Sequence, residues 1–111
     1  MEVIPERGEI WWVALGPALG LEIRKTRPCV VVSVKVLNER RRTVIVVPLS
    51  SSPRASPPIL IPVACEGRPT VAVSDQIRAV AKERLRSRLG VVTTEEMAAL
   101  EGGLRRIMQL G

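Results

Sequence analysis

The chain contains no histidine, tyrosine or phenylalanine, and Asp75 is its only aspartate. Without imidazole there is no Ser-His-Asp triad and no paired-histidine ribonuclease mechanism. The glutamates are scattered and offer no clustered carboxylate site for two metal ions. Only Trp11 and Trp12 could provide an aromatic surface for a nucleobase. The two cysteines, Cys29 and Cys65, show no CxxC spacing, so no zinc pattern exists and no metal or cofactor is expected. Cys29 lies in an apolar run, where a free thiol behaves as a small hydrophobe. No glycine-rich phosphate loop with a following Lys-Ser/Thr is present. No apolar run approaches the length of a membrane span. The opening "MEVIPERGE" is charged and lacks an apolar leader segment, so the expected compartment is the cytoplasm.

What is present is a core and an excess of positive charge. The 111 residues are 46% hydrophobic, enough for one domain over residues 1–111 with a real interior. A domain of this size often gains further burial by dimerising. The net charge is +6, carried mostly by arginine, since Lys25, Lys35 and Lys82 are the only lysines. Cationic domains commonly meet phosphates, because neutralising them releases counterions. A merely soluble basic surface would look the same.

Along the chain, "EIWWVAL" after Gly8 reads as a strand. Alternation puts Ile10, Trp12 and Ala14 on one face and Trp11, Val13 and Leu15 on the other, so both faces should be covered. "GPALGLEIRKT" reads as a long irregular loop. "RPCVVVSVKVL" is a second strand opened by Pro28, "NERRR" a polar turn and "TVIVVPL" a third strand, together a hairpin. "SSSPRASPP" is a loop, and Pro62 within "ILIPVA" marks an edge strand or a bulge. "CEGRP" turns into the β-rich run "TVAVSDQIRAVA", and a last strand is expected from Arg88 to Val92. Thr93 and Glu96 have capping-box spacing, and Met97, Leu100, Leu104, Ile107 and Met108 recur at helical spacing behind them. Gly102 and Gly103 each weaken this helix by about 1 kcal/mol relative to alanine, and they either are defects or permit close packing. Many short strands and one terminal helix predict a small barrel-like sheet of α+β, mainly β, class.

Arginine, hydroxyl and carboxylate chemistry remains. The planar guanidinium fork donates to two phosphate oxygens at once. RNA cleavage needs no external nucleophile, because the neighbouring 2′-hydroxyl can attack. One arginine, one hydroxyl and one carboxylate suffice to orient the phosphate, offset developing charge and manage protons.

"RGEIWWVALGPALGLEIRKTRPCVVVS", "VVPLSSS" and "SDQIRAV" resemble, in order and spacing, the three signature blocks of the MazF/PemK family of toxin endoribonucleases. The resemblance covers nearly the whole chain. It implies a small SH3-like (CcdB/PemK-type) barrel with a C-terminal helix, acting as a homodimer. It implies metal-independent cleavage of single-stranded RNA, often at a short recognition sequence. It also implies an acidic, partly disordered antitoxin as partner. The arginine of the family's Arg-Pro pair falls on Arg27 and its catalytic hydroxyl, usually threonine, on Ser50. Its loop carboxylate falls on Glu22, and Ile23 stands where glutamine is frequent. Arg24, Lys25, Asp75, Gln76 and Arg78 are the candidates for RNA contact.

Plainer roles compete for each residue. Arg27 could be an ion-pairing residue at a strand edge, and Ser50 the first residue of a turn. Glu22 could be a solvated loop charge, and Asp75 a brace for backbone N–H groups. Gln76 and Arg78 could line a groove or face water. Trp12 could be core or interface packing, and Arg40, Arg41 and Arg42 a solvated tip. Two other functions share the barrel: a CcdB-like poison of DNA gyrase, and a catalytically weak relative that only binds RNA or antitoxin.

Overall fold

Apolar residues on both faces of the first strand require two separate cores. The computed structural model, which describes residues 3–16, 25–51 and 54–111, contains them. Strand β1 spans Glu9–Ala14. Its Ile10 enters one apolar cluster, while Trp11 and Val13, followed by Leu15, enter another. The remaining strands are β2 (Thr26–Val31), β3 (Thr43–Ser50), β4 (Leu60–Cys65), β5 (Arg68–Val73), β6 (Arg78–Ala81) and β7 (Leu85–Val91). Helices α1 (Lys35–Arg40) and α2 (Thr94–Met108) complete the chain. The strands pair antiparallel in the order β4-β5-β3-β2-β1-β7, with β6 also on β3. The sheet curls around the cluster of Trp11, Val13, Cys29, Val44 and Val46, and α2 closes the other cluster. This is the mainly β, barrel-like sheet with a terminal helix that the sequence predicts.

β3 organises the sheet because it has three partners. On one edge it pairs with β2, from Val31↔Val46 to Cys29↔Pro48. On its other edge β6 pairs with Thr43 to Val46, and β5 pairs with Leu49 and Ser50. Between β5 and β6 a 3-10 turn, Ser74–Gln76, joins the two stretches that pair with β3. Pro62 falls on β4, the outer strand on that side, where a missing N–H costs little.

The second strand is shorter than its apolar pattern predicts. It ends at Val31, and Lys35–Arg40 forms α1 in place of further strand and a polar turn. A buried polar knot explains the break. The Ser33 hydroxyl donates to Asn38 Oδ1 and accepts the Ile45 N–H at 3.0 Å. The Asn38 amide donates to the carbonyls of Pro5 at 2.9 Å and Ser33 at 3.1 Å. The ladder therefore passes to a side chain at Ser33, and Val34 and Val36 are left exposed.

α2 begins with the expected capping box. Thr93 Oγ1 accepts the Glu96 N–H at 3.0 Å, and Glu96 Oε1 accepts the Thr93 N–H at 2.8 Å. The second Glu96 oxygen accepts the N–H of Ala64 on β4 at 2.8 Å. Met97, Leu100 and Leu104 are buried, whereas Met108 lies outside the apolar stripe and is exposed. The two glycines differ. A Cβ at Gly102 would meet nothing within 4 Å, whereas one at Gly103 would lie 2.6 Å from the Pro58 carbonyl oxygen. Gly103 thus permits close packing of helix against loop. Among the described residues no helix is long and apolar enough to cross a membrane.

Candidate active site

Two prolines open a fork between β2 and β3. The β2–β3 ladder stops at Cys29↔Pro48, with Pro28 the next residue on β2. Proline has no N–H to donate, so neither residue can supply a rung from its own nitrogen. Beyond this point β3 leans on β5 instead, through Leu49↔Ala72 and Ser50↔Val71. Continuing the β2–β3 register past its last pair sets Ser50 opposite Arg27. The fork holds a cleft of about 470 Å³. Thr26, Arg27 and Pro28 form one wall, and Leu49, Ser50 and Ser51 another. Trp12 reaches in from β1, where it faces Pro28.

Arg27 is held on β2 by its pairing with Val13 of β1, and Pro28 biases its backbone towards the extended form. It is half-buried, and it pairs with no carboxylate among the described residues. Its fork of donors thus stands at a cleft wall, anchored by strand backbone rather than by an ion pair. Ser50, half-buried at the last position of β3, shares the cleft.

The opposite rim comes from the β4–β5 hairpin, which sequence reasoning did not connect to the site. Glu66 (φ 52°) and Gly67 (φ 77°) form the left-handed pair of a tight two-residue turn. That turn places Glu66 and Arg68, both exposed, beside Cys65 and Thr70 on the cleft. Alternation in "CEGRPT" identifies a hairpin but not its neighbour; the β3–β5 register supplies that. Thr70 is fixed by donating its hydroxyl to the Val63 carbonyl at 2.6 Å.

The other candidates are placed differently. Lys25 is exposed beside Arg27 on the chain, with φ 69°, and its backbone exchanges bonds with Leu15 (2.8 Å) and Gly16 (3.2 Å). Asp75 and Gln76 lie in the 3-10 turn and Arg78 opens β6; none of the three lines the cleft. Asp75 is exposed and makes no hydrogen bond with another described residue, so it does not brace its turn. Burial pushes the Cys29 thiol up to about 12, against the opposing pull of the nearby Arg78 guanidinium. On the backbone Arg78 pairs with Val46 of β3, which pairs in turn with Val31 of β2. Cys65 is also raised, by burial and then by Glu66. Both thiols are free and buried. Glu22, Ile23 and Arg24 lie outside the described residues. Among the described residues no group of three or more Cys, Asp or Glu side chains could hold a metal ion.

Residues 6–108 match the family model for the PemK-like, MazF-like toxin of type II toxin-antitoxin systems. The endoribonuclease MazF9 of Mycobacterium tuberculosis is 36% identical over 113 aligned positions, which cover 94% of this chain and 96% of that protein. The crystal structure of MazF from Deinococcus radiodurans superposes with a TM-score of 0.87 at 21% identity, covering 97% of this chain and 99% of that one. A mycobacterial endoribonuclease in complex with its cognate antitoxin superposes with a TM-score of 0.79 at 24% identity, covering 96% and 97%.

Proposed function

The chain belongs to the PemK-like, MazF-like toxins of type II toxin-antitoxin systems, and from that premise we propose that it cleaves single-stranded RNA sequence-selectively and without a metal ion. The observation that carries this reading is the fork in which Arg27 and Ser50 line one cleft from two strands. The RNA 2′-oxygen attacks the adjacent phosphorus, the bond to the 5′-oxygen breaks, and the products are a 2′,3′-cyclic phosphate and a 5′-hydroxyl. Charge grows on the non-bridging oxygens during this step. Arg27 donates two N–H groups to them and protonates the departing 5′-oxygen. Ser50 hydrogen-bonds the phosphate and holds it in line, and Glu22 accepts the 2′-hydroxyl proton. Lys25, Arg24, Asp75, Gln76 and Arg78 contact flanking nucleotides. Trp12, half-buried at the cleft, offers a ring edge to a base.

In this reading the active form is a homodimer in the cytoplasm, silenced by an acidic, partly disordered antitoxin that competes with RNA. Incubating the purified protein with single-stranded RNA in EDTA tests the chemistry, and end analysis identifies the cyclic phosphate. Arg27→Ala should lower the rate by about 10²–10³-fold or more and abolish toxicity in cells. RNA left intact by wild type, together with undiminished toxicity of Arg27→Ala, would overturn the reading. Trapped gyrase–DNA complexes in expressing cells would point to the gyrase-poison alternative.

A further inference from the structure

Among the described residues the positive charge is not centred on the cleft. Among the described residues the cleft walls carry Arg27 and Arg68 against Glu66. A larger cationic group lies elsewhere: Arg40, Arg41 and Arg42 at and just after the end of α1, Lys82 and Arg84 in the 3-10 turn Lys82–Arg84 before β7, and Arg86 in β7. The Lys82 N–H donates to the Arg42 carbonyl at 2.9 Å and joins the two halves. Only Glu39 and Glu83 are interspersed with them in sequence. Among the described residues, no carboxylate pairs with Arg40, Arg41, Arg42, Arg84 or Arg86. Two concavities open here, one of about 590 Å³ lined by Arg42, Lys82 and Arg86, with Glu83 among them, over Val3, Trp11 and Leu85. The other, of about 330 Å³, is lined by Arg40 to Thr43. Arg42 precedes β3 and Ser50 ends it, so the platform lies roughly 25 Å along that strand from the cleft at ~3.3 Å per residue.

A line of cations connects the two places. Arg84 Nη1 donates to the Ala14 carbonyl at 3.0 Å, at the end of β1. Ala14 pairs with Thr26, the residue between Lys25 and Arg27. The Lys25 backbone bonds to Leu15 and Gly16 on the same hairpin. Lys25, Arg84, Lys82 and Arg42 thus lead away from Arg27 around the β1–β2 end of the barrel.

We infer that this line is a track for the RNA backbone, ending on the Arg40–Arg42 and Arg86 platform, where nucleotides outside the cleavage site are held by their phosphates. The inference rests on the endoribonuclease reading of the cleft. Continuity with the cleft favours RNA over an acidic peptide. A protein partner would also need large apolar anchors; Trp11, the largest apolar side chain in the platform cavity, is buried, and the exposed apolar group there is the small Val3. Phosphate contacts of this kind position a strand and supply salt-dependent affinity without reading sequence. The track therefore governs how long an RNA must be to bind well, while the cleft governs where it is cut.

The test compares wild type with the triple variant Arg40→Gln, Arg42→Gln, Arg86→Gln. Binding is measured by fluorescence anisotropy across a salt series with 2′-O-methyl oligonucleotides, which have no 2′-hydroxyl to attack. Removing three phosphate contacts should lower the slope of log K against log salt by about 2, at ~0.7 per single-strand contact. For an oligonucleotide of about 25 residues, affinity near 0.1 M salt should fall by about 10- to 100-fold. An oligonucleotide of about six residues, long enough for the cleft alone, should change by less than about threefold. The charge control is Arg105→Gln with Arg106→Gln on exposed α2, which should change the slope less per charge removed.

An equal per-charge loss in the control, or equal losses for long and short RNA, would overturn the track. So would loss of binding to an acidic peptide with RNA affinity intact. Cleavage by wild type with no length-dependent loss in the variant defeats the track and leaves the nuclease reading standing. Length-dependent loss in a protein that cleaves no RNA supports the track and defeats the nuclease reading.

Discussion

The adjacent glycines of α2 make a matched pair in which one atom of difference should reverse the sign of an effect. Each substitution by alanine gains helix propensity, about 0.8–1.0 kcal/mol, by removing backbone freedom from the unfolded chain. At Gly102 nothing opposes that gain, because the new methyl meets no atom within 4 Å. At Gly103 the methyl would sit 2.6 Å from the Pro58 carbonyl oxygen and 3.2 Å from Ile61 Cδ1. The first neighbour is backbone and cannot rotate away, so helix and loop must separate. Overpacking of this kind costs about 1–3 kcal/mol, with the upper end expected against main chain. Gly102→Ala should therefore raise Tm by about 4 °C, and Gly103→Ala should lower it by about 4–8 °C. Thermal unfolding followed by far-UV circular dichroism, at equal protein concentration, measures both. Shifts of the same sign would refute the assignment of Gly103 to close packing and of Gly102 to open surface. Pro58 also belongs to the segment that follows Ser50, so Gly103→Ala should reduce cleavage beyond what the lost folded fraction explains.

Three further outcomes follow from the same geometry. Ser50→Ala should lower kcat by about 10²-fold, whereas Ser50→Thr should match or exceed wild type because a β-branched side chain is stiffer at χ1; single-turnover RNA cleavage measures both. Burial alone would raise the Glu9 carboxyl, but hydrogen bonds from the Glu6 N–H, the Trp11 indole and Arg88, with the Arg88 charge, hold it below its usual value of 4.5. A depressed folded pKa contributes stability that is full above the unfolded value and is lost as pH falls through the folded one. The Tm gap between wild type and Glu9→Gln should therefore be full at neutral pH and shrink as pH drops below about 4.5; a gap unchanged in acid would contradict it. Cys29, buried and pushed up to about 12, should resist thiol reagents at mildly alkaline pH until the protein unfolds, which mass spectrometry of pulse-labelled protein reads directly.

Much of this molecule is legible from local pattern, and what is not legible depends on register. β1, β3 and the capped helix announce themselves because period, cap and breaker agree within a few residues. Pro62 correctly marks an outer strand. The run "VVVSVKVL" misleads because its valines alternate as a strand would, while the signal to stop is a pairing of Ser33 with Asn38 and Pro5 that no short window contains. Arg27 and Ser50 are recognisable by resemblance, yet their sharing a cleft depends on two prolines, 20 residues apart, that fall at adjacent positions where one ladder ends. Glu66 and Arg68 reach the cleft only because β5 pairs with the end of β3. Asp75, Gln76 and Arg78 look like part of the same block as the cleft residues, but they lie in and just after the 3-10 turn and do not line the cleft.

The two oxygens of Glu96 join the first turn of α2 to β4, one accepting Thr93 N–H and the other Ala64 N–H. β4 is an outer strand, and an unpaired N–H on such a strand invites another chain to extend the sheet. The carboxylate fills that vacancy, and its charge repels an approaching backbone carbonyl. The residue that starts the helix thus also guards the sheet against association through its edge.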